Sequence, residues 1–155
     1  MGRLVLACLG IAGALAGAAP SLAGASAQPP RTALEHFGCH RSSDPLNRWI
    51  EVTAVIRPVT GTERMAMKFE LLQRPPHSRS FVEVTGGHND LGKWIHPTNP
   101  PTLGSRPGDH WSVKKLVVNL SAPEVYKFRV SFRWLGSDGK PLGTVVHPSQ
   151  LCNQY

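Results

Sequence analysis

The chain has 155 residues, with 17 Lys and Arg against 10 Asp and Glu, for a formal charge of +7. This length suits one domain, with room for a tail. An apolar share of 41% is too high for a disordered chain and too low for a protein of several membrane spans. The 15 Gly and 14 Pro argue against long helices and for short elements joined by turns.

The first 27 residues read as a removable export signal. Arg3 supplies a basic start, Leu4 to Ala23 is small and apolar, and Ala25-Ser26-Ala27 is a small-residue cleavage triplet. Pro20 and that triplet argue against a retained membrane anchor, so no stable membrane insertion is expected after cleavage. Val5-Leu6-Ala7-Cys8 has too short an apolar run before Cys8 for a lipoprotein signal. Two cysteines then remain, Cys39 and Cys152. In an oxidising compartment an even count reads as a bridge, here one that would tie the two ends of the domain together. A loop of that length gives about 4–5 kcal/mol in the chain-entropy model.

Residues 28–47, with Pro29-Pro30 and Asp44-Pro45, read as an irregular lead-in, and residues 48–155 as the folded domain. Ile50, Val52, Ala54 and Ile56 alternate with more polar neighbours, the period of a half-buried strand. After a turn at Thr60-Gly61-Thr62, a second strand follows, with Met65, Met67, Phe69 and Leu71 on one face. Phe81 to Val84 reads as a short third strand, and Lys93 to His96 as a brief edge strand. Trp111 to Leu120 switches parity, because Trp111 and Val113 are odd and Leu116, Val118 and Leu120 are even. A bulge at Lys114-Lys115 would turn both sets inward. Tyr126, Phe128, Val130, Phe132 and Trp134 form the clearest alternation, followed by a hairpin turn at Asp138-Gly139 and a return strand from Leu142 to Val146. About seven short strands and no helical period predict an all-β fold of two antiparallel sheets packed as a sandwich.

Leu120, Pro123 and Tyr126 carry a more specific pattern. Leu120-Ser121-Ala122-Pro123-Glu124-Val125-Tyr126 resembles the E–F corner of fibronectin type III and related immunoglobulin-like domains. The chain is also similar to the CARDB-type adhesion-like modules of secreted prokaryotic proteins. The resemblance implies an immunoglobulin-like sandwich in which the Tyr126 hydroxyl bonds back to the corner backbone. It implies adhesion, binding or spacing rather than one function. The chain departs from antibody domains in the placement of its cysteines.

The sequence carries no G-x-S-x-G elbow, no phosphate-binding Gly-rich loop, no HExxH and no paired CxxC, so no enzymatic activity and no cofactor are expected. Residues 86–110 form a connection of about 25 residues, longer than most loops and therefore a candidate binding loop. Its candidate residues are His88, Asp90, Trp94, His96, Arg106, Asp109 and His110. Trp94 would either stack on a sugar or anchor a protein partner, or else pin the loop to the sandwich. His88, Asp90, His96 and His110 offer an alternative function, zinc or copper binding outside the cytoplasm. Lys127, Arg129 and Arg133 alternate away from the aromatic face of their strand, and with Lys114 or Lys115 would make a basic outer surface. That surface would suit an anionic glycan or cell-wall polymer. Nucleic acid is not expected, because the aromatics alternate into the core. The leading expectation is a monomeric, exported, non-catalytic module with a binding or structural role toward a protein or an anionic polymer.

Overall fold

The computed structural model describes residues 29–85, 90–98, 103–106 and 108–155. The expected signal peptide with Cys8, the candidate ligand His88, and Pro107 lie outside the described residues. Among the described residues, nine strands form two antiparallel sheets, which pack as a β-sandwich. The first sheet contains β1 (Thr32–His40), β2 (Trp49–Ile56) and β6 (Trp111–Val118), in the order β1-β2-β6. In the second, β3 (Arg64–Arg74) and β7 (Glu124–Leu135) lie side by side. Two short strands, β4 (Val82–Glu83) and β5 (Trp94–Ile95), pair with the outer edge of β3. β8 (Pro141–Pro148) and β9 (Cys152–Gln154) pair with the other edge of β7. Among the described residues, no helix is long and apolar enough to cross a membrane.

Alternation explains the core. Ile50, Val52, Ala54 and Ile56 of β2 are fully buried. From the facing sheet, Met65, Met67, Phe69 and Leu71 of β3 join Tyr126, Phe128, Val130 and Phe132 of β7. Each large apolar side chain buried this way contributes about 1.5–3 kcal/mol. Phe69 and Phe128 meet edge to face at 6.4 Å between centroids. Trp134 closes one end by donating its indole N–H to the Arg57 carbonyl at 2.7 Å.

The disulfide joins Cys39 of β1 to Cys152 of β9, across the two sheets and across 113 residues of chain. At the β6–β7 corner, the Tyr126 hydroxyl accepts from the Ser121 N–H at 3.1 Å. It donates to the Glu124 carboxylate at 2.9 Å, with the Ser121 carbonyl farther off at 3.3 Å. Leu120 is buried beside it, and Pro123 follows Ala122 through a cis peptide.

Three expectations need correction. Residues 32–40 are not an irregular lead-in but strand β1, paired with β2 from Thr32↔Ile56 to His40↔Trp49. The register shifts between Glu35 and Gly38, around a left-handed His36. Leu34 therefore shares the inward face with Phe37 and Cys39, and the parity break hides the strand. The bulge expected at Lys114-Lys115 is absent, because β2 and β6 pair without a shift from Trp49↔Val118 to Ile56↔Trp111. Trp111, Val113 and Val117 therefore face the core side, while Leu116 and Val118 remain exposed. Finally, Lys114 and Lys115 lie on β6 in the three-stranded sheet and do not join Lys127, Arg129 and Arg133 in the other.

Candidate functional site

The outer face of the six-stranded sheet is built by the pairing of β3 with β7. Odd residues of β3 and even residues of β7 fill the core, so Lys68, Glu70, Lys127, Arg129 and Arg133 emerge on the opposite face. The register sets Ala66 beside Arg133, Glu70 beside Arg129 and Leu72 beside Lys127. On the edge of β3, Trp94 stands opposite Lys68 and Glu83 opposite Leu72.

Glu70 anchors the middle of this face. Its carboxylate accepts from Arg129 Nε at 2.7 Å and from Lys68 Nζ at 2.8 Å. The Arg129 hydrogen bond is the main cause holding the Glu70 carboxyl below its ordinary value, with Lys68 adding to it and burial opposing both. The same bond pushes the Arg129 guanidinium further up. Arg129 also lies 3.9 Å from Glu83.

The flanking cations are held differently. Arg133 stacks over the Trp94 ring, with Cζ 3.8 Å from the centroid, and Lys68 Nζ approaches the same ring at 5.7 Å. Lys127 Nζ lies 4.1 Å above the Phe81 ring, and Arg74 Cζ lies 5.2 Å from it. Among the described residues, Arg74, Lys127 and Arg133 make no ion pair with a carboxylate. A ring positions a cation by its quadrupole and carries no net charge, so these three keep their full positive charge. Arg133 Nε is moreover buried without a hydrogen-bond partner.

Among the described residues of the long connection, the candidate side chains make separate local contacts. Trp94 is half-buried against the sheet, so the Trp94 of the candidate loop and the Arg133 of the candidate basic face form one cluster. Asp90 is exposed and left-handed, and Gly92 donates to the Phe69 carbonyl at 2.8 Å. His96 is exposed, with Nδ1 3.3 Å from the Met65 carbonyl. Asp109 works locally, accepting from the Gly104 N–H at 2.8 Å and the Arg106 N–H at 3.2 Å. Those two bonds, Gly104 first, hold its carboxyl below the ordinary value. Arg106 and His110 are exposed. Among the described residues, no three His, Cys, Asp or Glu side chains come together to hold a metal ion.

No protein-family model, curated protein or solved structure matches this chain. Its chemistry is therefore read from the site itself: fixed guanidinium and ammonium donors on a rigid sheet, five cations against Glu70 and Glu83. Sequence reasoning found Lys127, Arg129 and Arg133 but missed Lys68, Glu70, Arg74 and Phe81. The outward parity of Lys68, Glu70 and Arg74 was already visible on the second strand. Combining it with the β7 pattern required only that the two strands pair. Phe81 carried no signal, since its contact with Lys127 depends on long-range geometry.

Proposed function

We propose that this protein is an exported, non-catalytic, immunoglobulin-like module that binds an anionic glycan or cell-wall polymer through the outer face of its six-stranded sheet. Several features support the parts of this reading. The strand orders β1-β2-β6 and β3-β7-β8 support the immunoglobulin-like part, since such a sandwich sets strands A, B and E in one sheet and C, F and G in the other. The Tyr126 hydroxyl returns to the Ser121 backbone as a tyrosine corner does. The Cys39–Cys152 bond fits an oxidising compartment outside the cytoplasm.

The observation that carries the binding reading is the placement of Arg74, Lys127 and Arg133 on the Phe81 and Trp94 rings. A salt bridge would cancel their charge, whereas an aromatic ring fixes the position and leaves the charge to an incoming anion. Because these cations are already ordered, less side-chain entropy is lost on binding. Their spread along β7, from residue 127 to residue 133, spans about 20 Å at the rise of a strand. That extent suits an extended polyanion better than a single small ion.

Co-sedimentation with an insoluble polyuronate tests the assignment. Binding is expected to be lost in the triple variant Arg74→Gln, Lys127→Gln, Arg133→Gln and kept in Lys114→Gln on the other sheet. Equal binding by wild type and triple variant would refute it.

A further inference from the structure

A second group of cations lies away from the strand faces, at the end of the sandwich from which β3 starts. A cleft of about 230 Å³ opens there between the β2–β3 turn and the 103–106 turn. Its floor is made by Thr62 and Gly104, both buried, and its rim by Arg31, Arg106, Thr60 and Ser105, all exposed. Among the described residues, no acidic side chain lines it.

Both walls are stiff. Thr62 Oγ1 accepts from the Val59 N–H at 3.0 Å and donates to the Val59 carbonyl at 2.7 Å. The opposite turn is tied by the Asp109 carboxylate, which accepts from Gly104 and Arg106. Gly104 is required there: its φ is +111°, and an added Cβ would come within 2.7 Å of Met65 Cγ. Arg31 is steered by one hydrogen bond, from its Nη1 to the Pro58 carbonyl at 2.9 Å. Among the described residues, neither Arg31 nor Arg106 forms an ion pair.

We propose that this cleft binds an oxyanion, the carboxylate or phosphate group of a small ligand, between the Arg31 and Arg106 guanidinium groups. Arg31 and Arg106 both line the cleft, and an anion bound there would offset the positive charge of both. A guanidinium fork matches the paired oxygens of a carboxylate or phosphate. The Thr60 and Ser105 hydroxyls supply further donors on the same rim. The volume falls below the roughly 300–1,000 Å³ of drug-sized pockets, which points to a small ligand rather than a polymer segment. The site is separate from the Lys127 and Arg133 face and stands or falls independently of the polymer reading.

The test is titration calorimetry and chemical-shift mapping on the oxidised chain, with inorganic phosphate, sulfate and glucuronate as separate probes. Phosphate and sulfate report on phosphate-type ligands and glucuronate on carboxylates. Saturable binding is expected for at least one class, with shifts at Gly61, Gly104 and Ser105. Arg106→Glu should abolish it, and Arg31→Gln should weaken it at least about tenfold, the usual loss for a hydrogen bond to a charged group. Among the described residues the Arg106 side chain makes no ion pair and only attracts Asp109, so the neutral Arg106→Gln should keep the wild-type melting temperature and still lose binding. Lys127→Gln with Arg133→Gln should leave the affinity unchanged. Absence of saturable binding with every probe, or binding that survives Arg106→Glu, overturns the proposal.

Discussion

The hydroxyl of Tyr126 is taken out of water in a residue only 2% exposed, and it is satisfied by Ser121 and Glu124. Removing it in Tyr126→Phe should cost about 1–2 kcal/mol, read from the denaturant midpoint. Burial, reinforced by the neighbouring Glu124, pushes its pKa from 10.0 up to about 12. The folded form therefore holds its proton where the unfolded chain releases it. Its contribution is complete below pH 10 and is lost as pH rises toward 12, so the wild type should lose stability over that window and Tyr126→Phe should lose less. Glu70 behaves with the opposite sign. Its carboxyl is held below 4.5 in the fold, so its contribution is present above that value and fades as acid protonates it. Glu70→Gln should cost about 1–3 kcal/mol at neutral pH, because Lys68 and Arg129 lose their carboxylate. In acid the gap between variant and wild type should close.

At the scale of elements, the disulfide links the first strand to the last and each sheet to the other. Cys39→Ser with Cys152→Ser should lower stability by about 2–5 kcal/mol, measured as a shift in the urea midpoint. Which strands were legible follows from where alternation is clean. β2, β3 and β7 run without interruption, and their inward residues can be read directly from Ile50, Met65 or Tyr126. β1 was hidden by its own bulge at His36, which splits Leu34 from Phe37 and Cys39. β6 misled for the converse reason. Leu116 and Val118 are apolar yet exposed, so hydrophobicity imitated a register change that the unbroken ladder to β2 does not contain. The two-residue strands β4 and β5 have no period to detect. Their places are set by pairing with β3, a long-range fact, and so the joining of Trp94 to Arg133 was not readable from the chain.

On the scale of the whole molecule, the excess positive charge is unevenly spent. On the three-stranded sheet, Lys114 is paired with Glu51 at 2.7 Å. On the six-stranded sheet, Glu70 compensates Lys68 and Arg129, while Arg74, Lys127 and Arg133 rest on aromatic rings. A polyanion docking there releases its condensed counterions, so affinity should fall with salt in proportion to the number of such contacts. The most direct measurement is the affinity for soluble polygalacturonate across a salt series, for the wild type and for the Arg74, Lys127, Arg133 triple Gln variant. The wild type is predicted to bind polygalacturonate and not neutral dextran. In the variant, the slope of log affinity against log salt should be smaller by about 2–3. An unchanged slope with unchanged affinity, or equal binding to dextran, would contradict the account.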